Sequence, residues 1–120
     1  VGQWSEYSDI IAVVFYAVMA VAETGNVPAV YSIHQNYPNP FNPMTTINYE
    51  LPRKGFVNIR VYDLMGRNIR SLLNMVQDAG YRSVQWNATN DLGQPVTAGM
   101  YIYTIQAGDF RQTKKMLLLK

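Results

Sequence analysis

Few residues of this 120-residue chain could carry reaction chemistry. The chain has no cysteine and a single histidine, His34. Disulfides, thiolate catalysis and cysteine-rich zinc or iron–sulfur sites are therefore excluded. A serine triad or a histidine-rich metal site would have to be built around that one imidazole. The eight Asp and Glu residues are spread singly, which does not indicate a catalytic carboxylate pair. We predict no catalytic residues, no cofactor and no metal.

Two features could bind a ligand without transforming it. Side-chain oxygens alternate from Asn87 to Asp91 as in a calcium loop, but Gly93 comes one place late and no downstream Glu closes the site. Asx turns also explain this loop, so calcium near Asn87 and Asp91 is a minor alternative. Exposed aromatic rings could stack on sugars if they formed one platform, with core packing as the competing explanation. The aromatic candidates are Trp4, Tyr31, Tyr37, Phe41, Phe56, Tyr62 and Tyr81.

The composition favours a folded domain with scattered charge. Hydrophobic residues make up 48% of the chain and charged residues 15%, so we expect a packed core and not disorder. Residues 1–52 hold four acids and no basic residue, whereas residues 53–120 hold ten basic residues and four acids. The basic residues are not concentrated on one element, which argues against nucleic-acid binding.

The N-terminal segment is predicted to be separate from the rest of the chain. Its apolar run, residues 10–22, has 13 residues, too few for the roughly 20 of a membrane-spanning helix. Val, Ile, Phe and Tyr dominate residues 10–16 and favour a strand, and residues 23–28 are typical of a linker. Residues 2–8 resemble the closing stretch of a fibronectin type III domain. We therefore expect residues 1–28 to be the end of an upstream domain plus a linker, and residues 29–120 to be a second domain.

From residue 30 onward, short β-rich runs alternate with turn signals about every ten residues, as expected of an antiparallel sandwich. Alternation of apolar and polar side chains is cleanest at residues 46–51, and it places Val57, Ile59 and Val61 on one face of the next strand. Tyr101 and Tyr103 are likewise expected to face inward. Residues 74–80 are predicted to be a loop. The predicted strands include residues 46–51, 56–63, 67–73, 81–87, 100–107 and 110–120, which with a first strand after residue 30 makes about seven.

Several motifs recur in the order and spacing of a known family. The first is Tyr-Pro-Asn-Pro-Phe-Asn-Pro at residues 37–43, called here the Pro-rich loop. The others are residues 45–52, 61–67, 79–81, 84–86, 98–103 and 115–120. Together they resemble the C-terminal sorting domain of type IX secretion cargo, type A, and are similar to the immunoglobulin-like domain of flagellar hook-capping proteins. The resemblance covers about residues 31–120.

This resemblance implies an all-β, immunoglobulin-like antiparallel sandwich that is not an enzyme. It implies that the domain ends a larger secreted protein, is covalently linked to an upstream cargo domain, and is recognised as an export signal by the outer-membrane type IX translocon. The destination would be the surface or surroundings of a Gram-negative bacterium. The predicted recognition residues are Pro38, Asn39, Pro40, Gly99, Tyr101, Lys115 and Lys120.

Two other functions stay open. The apolar run at residues 10–21 could pair with a neighbouring copy and build an assembly, so self-association is the first alternative. A carbohydrate-binding accessory module is the second. The identity of the cargo is not encoded in residues 30–120.

Overall fold

A computed structural model describes residues 27–119, which form seven strands and no helix. The strands are β1 (Ser32–Ile33), β2 (Thr45–Leu51), β3 (Gly55–Asp63), β4 (Asn68–Gln77), β5 (Gly80–Trp86), β6 (Gly99–Ala107) and β7 (Phe110–Leu118). The predicted strand at residues 10–16 lies outside the described residues. Within the described residues there is no helix long and apolar enough to cross a bilayer.

The seven strands form two antiparallel sheets. The first sheet has the order β1-β2-β5 and the second the order β4-β3-β6-β7. A three-stranded sheet facing a four-stranded sheet is the immunoglobulin-like sandwich architecture. The predicted fold class, all-β with about seven strands, is confirmed.

The core lies between the two sheets and follows the alternation of the sequence. On β2, Ile47, Tyr49 and Leu51 are buried while Asn48 between them is exposed. The same period of two buries Val57, Ile59 and Val61 on β3 and Tyr101, Tyr103 and Ile105 on β6. Because successive strand residues point to opposite faces, each strand contributes one apolar face to the core.

The predicted loop at residues 74–80 is wrong. These residues extend β4 to Gln77, and only Asp78 and Ala79 remain for the turn into β5. β4 is an edge strand whose register with β3 shifts twice. These shifts fall at residues 69 and 72, whereas residues 74–77 pair with β3 in regular register and Asn74, Met75 and Val76 are all exposed. An edge segment that has no buried face shows no alternation of apolar and polar side chains. The sequence signal used for the other strands is therefore lost here.

The sandwich has two distinct ends. At the linker end, the chain arrives from residue 27 and Tyr31 stacks on Phe110 with ring centroids 5.4 Å apart. The turns at residues 52–54, 78–79 and 108–109 lie at this end. The opposite end, called here the distal end, carries the Pro-rich loop, the turn at residues 64–67, the loop at residues 87–98 and the end of β7. β6 has nine residues between the two ends, and the eight steps between them span roughly 26 Å at about 3.3 Å each.

Candidate recognition surface at the distal end

The Pro-rich loop is fastened to the last strand by its own backbone. Phe41 donates its N–H to the Leu117 carbonyl at 3.0 Å, and Leu119 donates to the Phe41 carbonyl at 2.9 Å. The Asn39 side-chain oxygen accepts the N–H of Leu117 at 3.0 Å. Phe41 therefore forms a parallel bridge with Leu118. The loop covers the outer edge of β7 over its C-terminal half.

An aromatic cluster anchors the same loop from inside. The Phe41 ring lies 5.7 Å from that of Trp86, and the Trp86 ring lies 5.3 Å from that of Tyr101 in an edge-on arrangement. All three side chains are buried. The Trp86 indole N–H, which needs a partner when buried, donates to the Thr89 carbonyl at 2.8 Å. Three of the family motifs thus meet in one cluster beneath the distal surface.

Polar contacts fix the approach to the loop. The Tyr103 hydroxyl donates to the His34 carbonyl at 2.7 Å and accepts the N–H of buried Asn36 at 2.8 Å. The Asn36 side-chain amide donates to the Thr45 hydroxyl and to the Pro38 carbonyl. Burial raises the pKa of Tyr103 to about 12, although the Asn36 N–H opposes that shift. The Tyr103 hydroxyl therefore stays protonated, and it binds the backbone of His34 and of Asn36, on either side of residue 35.

The structure brings most of the predicted recognition residues together. Pro38, Asn39, Pro40 and Lys115 are exposed at the distal end. Gln35, beside the loop, donates to the Lys115 carbonyl at 2.6 Å, which links the two groups of residues.

Of the other predicted residues, Gly99 is adjacent to this group in the fold and Tyr101 lies beneath it. Gly99 pairs with Leu118 and has a φ of +144°, a conformation that L side chains rarely adopt. Tyr101 lies in the core with its hydroxyl on the Thr97 carbonyl, so it can support the surface but does not present its ring to a partner. Lys120 lies outside the described residues. The role of all seven residues in recognition stays a prediction.

Part of the edge of β7 carries no covering segment within the described residues. Backbone groups of alternate residues in an antiparallel edge strand point away from the sheet. On β7, the residues whose backbone groups point away from the sheet are the odd-numbered ones. This follows because the backbone groups of Lys115 and Leu117 contact the Gln35–Phe41 segment outside the sheet. Among residues 27–119, the backbone groups of Arg111 and Thr113 have no such contact. In the described part of the chain, the edge is thus covered near the distal end and uncovered nearer the linker end.

Sequence reasoning missed the exposed apolar side chains of the distal end. Met65 is 80% exposed and Leu92 is 81% exposed. The others at this end are Tyr37, Met44, Leu64, Met100 and Leu119. They come from five separate segments, and only the folded topology brings them to one end. Apolar groups gathered in this way are typical of interaction surfaces.

The loop considered for calcium is tied to β4. The two Asp91 carboxylate oxygens accept the N–H of Ser71 at 2.8 Å and the amide of Asn68 at 2.9 Å. The Asn90 side-chain oxygen accepts the N–H groups of Leu92 and Gln94, which is an Asx turn. The Asn87 side-chain oxygen accepts the Thr89 hydroxyl. These hydrogen bonds explain the oxygen-rich pattern as turn chemistry, and calcium at Asn87 and Asp91 stays a minor, untested alternative.

His34 does not stand at the centre of a deep cleft. Its ring contacts the Glu50 carboxylate and Ser32 at the rim of a shallow depression of about 250 Å3, and its side chain is half exposed. Among residues 27–119, no three His, Cys, Asp or Glu side chains lie close enough together to hold a metal ion.

The aromatic candidates do not share one surface. Phe41 is buried, Tyr37 lies at the distal end, and Tyr31 and Tyr81 lie near the linker end. Phe56 and Tyr62 line one depression on the outer face of the four-stranded sheet. Trp4 lies outside the described residues.

The fold and the site define a class of protein: an immunoglobulin-like sandwich in which several sequence motifs meet at one end of the molecule. The family described as secretion system C-terminal sorting domain matches residues 35–119. The chain belongs to this family, whose members are sorting signals of the type IX system and not catalysts. Membership indicates export across the outer membrane, to the cell surface or beyond, through recognition by the secretion machinery.

Two solved structures share the fold. One is dimeric latent PorU from Porphyromonas gingivalis, with a TM-score of 0.57, 19% identity, and coverage of 78% of this chain and 10% of that chain. The other is PorZ, an essential surface component of the type IX secretion system of the same organism, with a TM-score of 0.50, 19% identity, and coverage of 75% of this chain and 11% of that chain. The chain therefore spans about a tenth of the length of either protein. No curated protein matches it significantly.

Proposed function

We propose that this domain is the non-catalytic export signal of a larger secreted protein, and that the outer-membrane type IX translocon reads it as a folded surface at the distal end. The observation that carries this proposal is the convergence of separate motifs there. The Pro-rich loop, the end of β7 and Gly99 are far apart in the sequence but adjacent in the fold.

The position of this surface suits such a role. The preceding residues of the chain attach at the linker end, so a cargo domain there would leave the distal end free. The exposed Asn39 and Lys115 supply polar and charged contacts, and Pro38, Pro40 and the neighbouring apolar side chains supply area to bury. Lys120 lies outside the described residues and stays a predicted recognition residue.

The test is export of a reporter protein fused before residue 1 of the full chain, in a bacterium that has a type IX system. Removal of the last strand would be uninformative, because Met116 and Leu118 are each only 1% exposed and their loss would disrupt the core. A charge reversal at an exposed residue is a better test, because it leaves the core intact. Lys115→Glu should lower the exported fraction several-fold, with the thermal midpoint of the domain unchanged.

The matched control is Lys54→Glu at the linker end. Its ammonium lies 4.0 Å from the Asp78 carboxylate, and both side chains are largely exposed, so this pair contributes little stability. Export of the control should equal that of the unmodified chain. Equal export of the Lys115 and Lys54 variants would refute recognition through the end of β7.

A further inference from the structure

A row of polar side chains crosses the outer face of the four-stranded sheet. Asn58 on β3 lies opposite Asn74 on β4 and opposite Gln106 on β6. Gln106 in turn lies opposite Arg111 on β7. The Asn58 amide donates to the Asn74 side-chain oxygen at 2.9 Å. The row borders a depression of about 590 Å3 that is open to solvent.

A second arginine reaches this depression from the same face. Arg60 lies two residues beyond Asn58 on β3 and lines the depression, but its Nε is buried and has no hydrogen-bond partner among the described residues. A buried N–H without a partner is costly, and a bound acceptor would remove that cost. Within residues 27–119, neither Arg60 nor Arg111 forms a salt bridge, and no carboxylate lines the depression. The site is thus cationic and uncompensated.

Aromatic rings flank the polar row. Phe56 is 54% exposed and lies at one end of the depression, and the half-buried Tyr62 lies at the other. Amides offer both donors and acceptors, guanidinium groups bind carboxylates with two parallel hydrogen bonds, and exposed rings stack on flat apolar faces. Sugars that bear a carboxylate present hydroxyls, an anion and an apolar ring face together.

We propose that this depression binds an acidic oligosaccharide. Arg60 and Arg111 would hold the carboxylate, the three amides would bind hydroxyls, and Phe56 or Tyr62 would stack on a sugar ring. The site differs from the distal-end surface in position and residues, and the proposal does not depend on the export function. Two arginines beside three neutral amides favour a sparsely charged glycan over a polyanion with dense phosphates.

The test is a titration of the isotopically labelled full chain, followed by nuclear magnetic resonance. The probes are trigalacturonate, a glucuronate-containing oligosaccharide and sialyllactose, with galactotriose and inorganic phosphate as controls. An acidic sugar should shift the Arg60 Nε–H resonance and the side-chain amides of Asn58, Asn74 and Gln106. Arg111→Gln, at an exposed position, should weaken binding at least about tenfold, and Arg60→Gln should do the same.

The control variant is Arg82→Gln on β5 of the opposite sheet, which removes one charge and should leave the affinity unchanged. Three results would overturn the proposal: no shift with any of the acidic sugars, equal binding of galactotriose, or phosphate binding that is as strong and shifts the same resonances. Export of the fused reporter by Arg111→Gln should match that of the unmodified chain, so failure of the sugar site and failure of the export signal can be distinguished.

Discussion

Single side chains hold the turns that shape the distal end, and Asp63 is the clearest case. Its Oδ1 accepts the N–H groups of Met65 and Arg67, each at 2.9 Å, and its Oδ2 accepts the Arg67 Nε–H at 2.7 Å. Gly66 completes the turn with a φ of +84°, a conformation that glycine adopts without strain. The hydrogen bond from the Arg67 backbone N–H is the main reason why the pKa of Asp63 is lowered.

This lowered pKa gives a pH-dependent prediction. A carboxyl group whose pKa is lower in the folded state stabilises the fold above its unfolded pKa of about 3.9, and this contribution disappears as the pH falls through the folded value. Asp63→Asn should therefore lower the melting temperature at pH 7, and the difference from the unmodified chain should shrink as the pH falls below about 4. Thermal melts between pH 7 and pH 3 measure this.

Asp109→Asn is the control, because it changes an exposed turn residue at the other end of the sandwich. If the difference in melting temperature between Asp63→Asn and the unmodified chain stayed constant over the whole pH range, this explanation of the turn would be contradicted.

Turn chemistry of this kind was only partly predictable from the sequence. Gly66, Gly80, Gly93 and Gly99 could be assigned to chain reversals from residue type alone, and all four have positive φ. The partners of Asp91 could not be predicted, because Asn68 and Ser71 are at least 20 residues away and meet it only after β4 has paired with β3.

At the scale of elements, contacts between non-adjacent segments position the Pro-rich loop. β6 reaches this loop through Tyr103, which joins the backbone of His34 and Asn36 at a separation of at least 67 residues. Alternation in the sequence predicted that Tyr103 faces inward, but it did not predict the hydrogen-bond partners of the Tyr103 hydroxyl. Those partners depend on the register between strands, which is a tertiary property.

Tyr103→Phe tests this connection. The change keeps the ring but leaves the buried N–H of Asn36 without its acceptor, so the free energy of unfolding should fall by about 1–3 kcal/mol. Because the pKa of Tyr103 is about 12 when folded, its stabilising effect is present below about pH 10 and is lost as the pH rises towards 12. The difference in the free energy of unfolding between Tyr103→Phe and the unmodified chain should therefore become smaller above pH 10. Urea unfolding at pH 7 and at pH 11 measures it.

Tyr37→Phe is the control, since Tyr37 is 78% exposed and its loss should leave stability unchanged. If Tyr103→Phe were as stable as the unmodified chain at pH 7, the proposed connection between β6 and the Pro-rich loop would be wrong.

Strand prediction succeeded where a strand has one buried and one exposed face. β2, β3 and β6 have that environment, and their predicted and observed limits differ by at most one residue. β4 does not, because exposed Met75 and Val76 interrupt the alternation at the sheet edge. The hydrophobic pattern reports burial and not main-chain pairing, so it predicted the part of β4 whose side chains pack on the core and missed residues 74–77.

At the scale of the whole molecule, the end of the sandwich where the chain enters is opposite the end that carries the candidate recognition surface. The chain arrives at one end, and several motifs of the sorting-domain family meet at the other, where they combine a stiff loop, a covered strand end and exposed apolar side chains. The motifs themselves could be identified in the sequence. Their convergence could not, because it depends on strand order and direction in two sheets.

The most direct test of this account is photocrosslinking during export of the fused reporter. A photoreactive residue is placed singly at Lys115 or Met65, at the distal end, and at Lys54 or Val76, at the linker end, all of which are exposed. The account predicts crosslinks to an outer-membrane component of the secretion machinery from the two distal positions and none from the two linker-end positions. Crosslinks to that component from the linker-end positions alone, or equally from all four, would contradict it.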